Sequence, residues 1–176
     1  MRWLNDRSTL EGRNMKELFE KLEEVTKLPF RIYKEDTDLA VGSLGLSMNG
    51  ISGKLNEMKL EFAHAPEYLA RGQDVDVDET MAEYAKQLKS MRAHIGKGLE
   101  ILKKCPEKDR QVKEVVGDFI NIFQDKLGEL ESESHLQDNG QDHAEQVKNY
   151  LQKLESLLNA CNQYIRLHIG DRSPLA

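Results

Sequence analysis

Apolar residues recur every three or four positions through successive stretches of this chain. That period constrains the fold most, because it gathers those residues on one side of an α-helix. The run Met81, Tyr84, Leu88, Met91, Ile95, Leu99 and Leu102 keeps the rhythm until Cys105 and Pro106 end it. It restarts as Val112, Val116, Phe119, Phe123, Leu127 and Leu130, with Glu107 and Asp109 in the first turn, where the helix dipole favours anions. A polar stretch over 131–140 interrupts it. The last run is Val147, Leu151, Leu154, Leu158, Cys161, Ile165 and His168, opened by Asp142 and closed by Gly170. A shorter run of Met15, Leu18, Leu22 and Val25, with Phe19 alongside, predicts a first helix from Met15 to Leu28, with Asn14 as its cap and Pro29 as its stop. The three long runs stay close to a seven-residue repeat, which in antiparallel neighbours means left-handed bundle packing. With short connections, those helices run up, down and up.

The segment from Pro29 to Ala70 admits two readings. Leu44, Met48, Ile51, Leu55, Met58 and Phe62 form a helical stripe as regular as the others. Gly42, Gly45, Gly50 and Gly53 would then lie inside that helix, each at a cost of about 1 kcal/mol relative to Ala. The alternative pairs a strand over Phe30 to Lys34 with a return over Leu39 to Met48, a small β-hairpin between residues 30 and 48. The helix is preferred, because the seven-residue phase runs straight on to Phe62 and a lone hairpin needs cover from elsewhere. In a helix, the glycines would either permit close backbone approach to a neighbour or leave the element loose. Pro66 marks its expected end, with a connecting loop from Tyr68 to Asp78.

Composition agrees with helices. Of 176 residues, 39% are hydrophobic and 32% charged, and the sparse β-branched and aromatic residues disfavour an all-β sandwich or barrel. The chain is expected to be one all-α domain over residues 1–176: an antiparallel bundle of about four long helices plus the short N-terminal one, with loosely ordered ends at 1–13 and 170–176. Its net charge of −6 is unevenly spread. From Glu107 to Glu145, 11 acidic residues face four basic ones, whereas from Thr80 to Cys105 six basic residues face two acidic ones. The two segments are expected to lie side by side. No basic block could neutralise a row of phosphates, so nucleic-acid binding is disfavoured. The first residues carry no apolar leader, and no run is long enough for an integral membrane segment, so a cytoplasmic location is expected. Two cysteines make no disulfide framework; Cys105 and Cys161 are read as reduced thiols near one pole of the bundle.

The catalytic patterns are all incomplete. Glu61 and His64 match the Glu-x-x-His spacing of di-iron carboxylate bundles, but no second copy exists. Asp74, Asp76 and Asp78 imitate the opening of a calcium loop, yet Glu79 stands where a glycine must turn the chain and Ala85 where the bidentate Glu belongs. Glu20, Glu23 and Glu24 with Glu35 and Asp38 only partly imitate the carboxylate clusters of magnesium-dependent all-α nucleotide hydrolases. Cys105 has no neighbouring His, Cys161 lies on an apolar stripe, and His168 fits a rim histidine better than a base. There is no nucleophile elbow, P-loop or dinucleotide fingerprint.

The expectation is a non-enzymatic protein–protein interaction module, such as an adaptor, a chaperone-like accessory or a regulatory bundle, with no metal or cofactor. The partner is another protein, or another copy in a homo-oligomer. Trp3, the only tryptophan, and Gly42, Gly45, Gly50 and Gly53 are the candidate partner-binding residues. The competing class is a metal- or nucleotide-dependent all-α enzyme using Glu20, Glu23, Glu24, Glu61 or His64. A structural subunit of a homo-oligomer is the third reading.

Overall fold

A computed structural model of the chain describes residues 17, 20–21, 36–73, 75–107, 110–138 and 140–168. Four long helices carry the fold: α1 (Asp36–Phe62), α3 (Val75–Lys103), α4 (Arg110–Ser132) and α5 (His143–His168), with the short α2 (Ala65–Ala70) between the first two. They close into an antiparallel bundle. α1 packs on α5 and α3, α3 packs on α4, α4 packs on α5, and α2 lies against α5. The described residues contain no strand.

The predicted stripes form the core. Leu44, Met48, Leu55, Met58 and Phe62 of α1 are buried in one core with Met81, Leu88, Ile95, Leu99 and Leu102 of α3 and the Val112 to Leu130 stripe of α4. The helix reading of the Gly-rich segment holds over Asp36–Phe62. The hairpin alternative is overturned over 36–48, because burying Val41, Leu44 and Met48 together requires the helical period. Residues 30–35, and most of the expected Met15–Leu28 helix, lie outside the described residues; within the latter, Glu17, Glu20 and Lys21 are helical and exposed.

Two boundaries differ from the expected ones. Pro66 begins a helix instead of ending one: α1 bends at Ala63 and His64, and Pro66 occupies the first turn of α2, where a missing N–H costs nothing. α3 starts at Val75, so Asp76 and Asp78 form its first turn and the loop is correspondingly shorter. Gly72, with φ of 81°, makes the turn between the two. On α5 the buried line runs through Val147, Tyr150, Leu154, Leu157, Cys161 and Tyr164, while Leu151 and Ile165 are only half-buried.

Those tyrosines are core residues because each hydroxyl has a partner. Tyr164 donates to the Val41 carbonyl oxygen at 3.1 Å, and Tyr150 is hydrogen-bonded to Ser134 at 3.2 Å. At the pole where α1 ends, Phe62 meets Tyr84 and Tyr150 edge-on, with both centroid separations 5.7 Å. Phe119 stacks on Tyr164 at 5.5 Å.

The basic and acidic segments are indeed neighbours, as α3 and α4. Arg92 Nη1 lies 3.0 Å from Glu131 Oε2 across that interface. Gln124 Nε2 donates to the Arg92 carbonyl oxygen at 3.0 Å. These long side chains fit because Gly96 and Gly128 leave room: an added Cβ would stand 3.0 Å from Gln124 Nε2 and 2.6 Å from Arg92 Nη1.

Candidate functional site

Among the described residues, the most exposed large apolar side chains concentrate on one helix. Leu39, Leu46 and Leu60 of α1 are 70%, 69% and 67% exposed. With Gly53 they recur every seven residues, on the side of α1 opposite Leu44, Met48, Leu55 and Phe62. Gly42, Asn49 and Gly50 fill the same outer face. No charged residue occurs from Leu39 to Gly53, in a chain that is 32% charged. Depletion of charge is a compositional trait of interface centres.

Of the two packing roles weighed for the glycines, close approach to a neighbour is absent, among the described residues, at three of the four. A Cβ on Gly42, Gly50 or Gly53 would meet nothing within 4 Å, so none of the three serves close packing inside the bundle. Gly45 is buried and faces inward. Close approach is seen at Gly98 of α3, where a Cβ would come within 2.6 Å of Leu44 Cδ2. Trp3 lies outside the described residues.

Beside the outer face, at the N-terminal end of α1, a groove of about 400 Å³ opens between α1 and α3. Leu39, Ala40 and Ser43 form one wall, and Gly98, Ile101 and Lys104 the other, with Cys105 at the end. Ile101 is 58% exposed, so the groove continues the apolar surface of Leu39. At the opposite pole, a polar cleft of about 200 Å³ lies among Glu133, His135, Gln137, Gln146 and Lys153. Its side chains are mostly engaged with one another: Gln146 Nε2 donates to the Gln137 carbonyl oxygen at 2.7 Å, and Lys153 pairs with Glu133 at 2.5 Å.

Only some of the residues weighed for catalysis are described. Glu61 accepts a hydrogen bond of 2.5 Å from the Tyr84 hydroxyl, while His64 is exposed in the turn ahead of α2. That bond, helped by burial, raises Tyr84 to a pKa of about 12, and burial raises Tyr150 to about 12. Asp78 Oδ1 accepts from the Leu136 N–H at 2.8 Å, tying the start of α3 to the loop after α4. Glu20 is exposed; Glu23, Glu24, Glu35 and Asp74 lie outside the described residues, as do the side chains of Asp38 and His168. Among the described residues no three of His, Cys, Asp and Glu gather as a metal site.

Both cysteines are free and buried. Cys161 Sγ faces Met48 Sδ at 3.8 Å, and burial pushes its thiol well above the ordinary range. Cys105 Sγ bonds to the Ile101 carbonyl oxygen at 3.4 Å. Among the described residues no helix is long and apolar enough to cross a membrane. Compared with protein-family models, curated proteins and solved structures, the chain matches none.

Proposed function

We propose that the protein is a non-enzymatic interaction module that binds another protein through the outer face of α1. The observation that carries this reading is the uncharged surface of Leu39, Gly42, Leu46, Gly50 and Gly53, with Leu60 beyond it. Leaving three leucines about two-thirds in water forgoes roughly 1 to 2 kcal/mol each, which a partner covering them would recover. The remainder of the bundle supports this role as a scaffold, since its core holds α1 rigidly on α5 and α3. Adaptor, chaperone-like and regulatory duties all use such a surface. In a cytoplasmic setting Cys105 and Cys161 remain the thiols they are here.

A photo-reactive residue at position 46 tests the reading in cells, with position 100 on α3 as the control. The expected result is a discrete protein adduct from position 46 that disappears when Leu39 and Leu60 are both changed to Glu. Equal labelling from both positions, or none from position 46, would contradict it.

A further inference from the structure

We infer that the occupant of this face is a second copy of the chain, laid antiparallel across α1 about a two-fold axis midway between Asn49 and Gly50. This rests on the outer face of α1 being an interaction surface and adds the identity of the partner. The axis brings Leu39 opposite Leu60 of the second copy and Leu46 opposite Gly53, over which nothing lies within 4 Å of an added Cβ. An exposed leucine therefore meets a vacant notch twice, by symmetry.

The ends match as well. Leu39 and Leu60 lie about 32 Å apart along the helix, equidistant from the axis. Each copy carries a 400 Å³ apolar groove at its Leu39 end and an exposed leucine at its Leu60 end. Two-fold pairing sets the Leu60 of one copy at the groove beside Leu39 and Ile101 of the other.

Charge favours the same arrangement. Two chains of net charge −6 repel over most of their surfaces, and the stretch from Leu39 to Gly53 is where they meet without facing charges. Glu57, which pairs with Lys54 at 3.3 Å along the outer side of α1, falls opposite Gly42 in the antiparallel pair, whereas in a parallel pair it would face another Glu57. One helix face alone is narrow beside the roughly 800 Å² per partner of a standard interface. The groove walls at Ile101 and Lys104 extend it at both ends.

Sedimentation velocity of the full chain at about 50 μM is expected to give twice the 20.2 kDa of one chain, and Leu46→Glu to return it to one. A short bis-maleimide is expected to link Asn49→Cys chains into dimers, since position 49 sits at the axis. Ser43→Cys and the unaltered chain, whose cysteines are buried, should stay unlinked. A chain that sediments as a monomer at this concentration, or that links equally from positions 43 and 49, overturns the second copy. If it is monomeric while position 46 still captures a different protein in cells, the interaction reading stands and only the identity of the partner is wrong. Failure of both experiments removes the face itself.

Discussion

At Gly98 an added Cβ would come within 2.6 Å of Leu44 Cδ2, a side chain only 1% exposed, whereas at Gly50 it would meet open space. Gly98→Ala should therefore destabilise the bundle by about 1 to 3 kcal/mol through overpacking. Gly50→Ala should stabilise it by about 0.5 to 1 kcal/mol, because it removes backbone freedom from the unfolded chain at no steric cost. Urea unfolding on a Leu46→Glu background, free of any contribution from association, checks both signs. The tyrosines give a second prediction at this scale. Tyr84 and Tyr150 both have folded pKa values of about 12, above the ordinary 10. A raised acid is held neutral by the fold, so its contribution is complete below pH 10 and is lost as pH climbs towards 12. Unfolding experiments from pH 9 to 12 should show stability falling across that window, and the combined Tyr84→Phe, Tyr150→Phe variant should show a shallower fall. Sequence alone missed Tyr150 and Tyr164 as the centre of the α5 stripe. A period drawn through leucines and isoleucines passes beside them, and the partners of their hydroxyls, Ser134 and the Val41 carbonyl, come from other elements.

Helix α1 shows how one element can carry two surfaces. The inward line of Leu44, Met48, Leu55 and Phe62 was legible in the sequence because burial on a bundle demands that period. The outward line of Leu39, Leu46, Gly53 and Leu60 repeats with the same spacing but has no core period of its own to mark it. Its signal in the sequence is the absence of charge from Leu39 to Gly53. The spacing of Gly42, Gly45, Gly50 and Gly53 leaves close approach and a loose element equally open, because only neighbouring chain segments decide which glycine has something above it. Pro66 likewise reads equally well as a stop or as a first-turn residue until the following turn is seen. The two lines predict different responses to the same change. Leu55→Ala, at a fully buried position, should cost about 2 to 5 kcal/mol. Leu60→Ala, five residues on and two-thirds exposed, should stay within about 0.5 kcal/mol in the monomer. Thermal unfolding of the two variants side by side measures the difference.

For the molecule as a whole, the fold is the part that sequence made plain: apolar residues fall on continuous stripes, so 39% hydrophobic content closes a four-helix core. The neighbouring basic and acidic segments were legible too, and Arg92 with Glu131 is where they touch. The candidate surface became visible only once the bundle had shown which side of α1 the described residues leave uncovered. On this account the bundle is a scaffold that holds an uncharged helix face in place, and binding and stability are written on opposite sides of α1. Leu46→Glu separates them most directly, measured by thermal unfolding below 1 μM, where association does not contribute, and by complex formation at high concentration. The predicted result is an unchanged midpoint together with loss of the complex. A midpoint lowered as by a core substitution, or a complex that survives the change, would contradict the account.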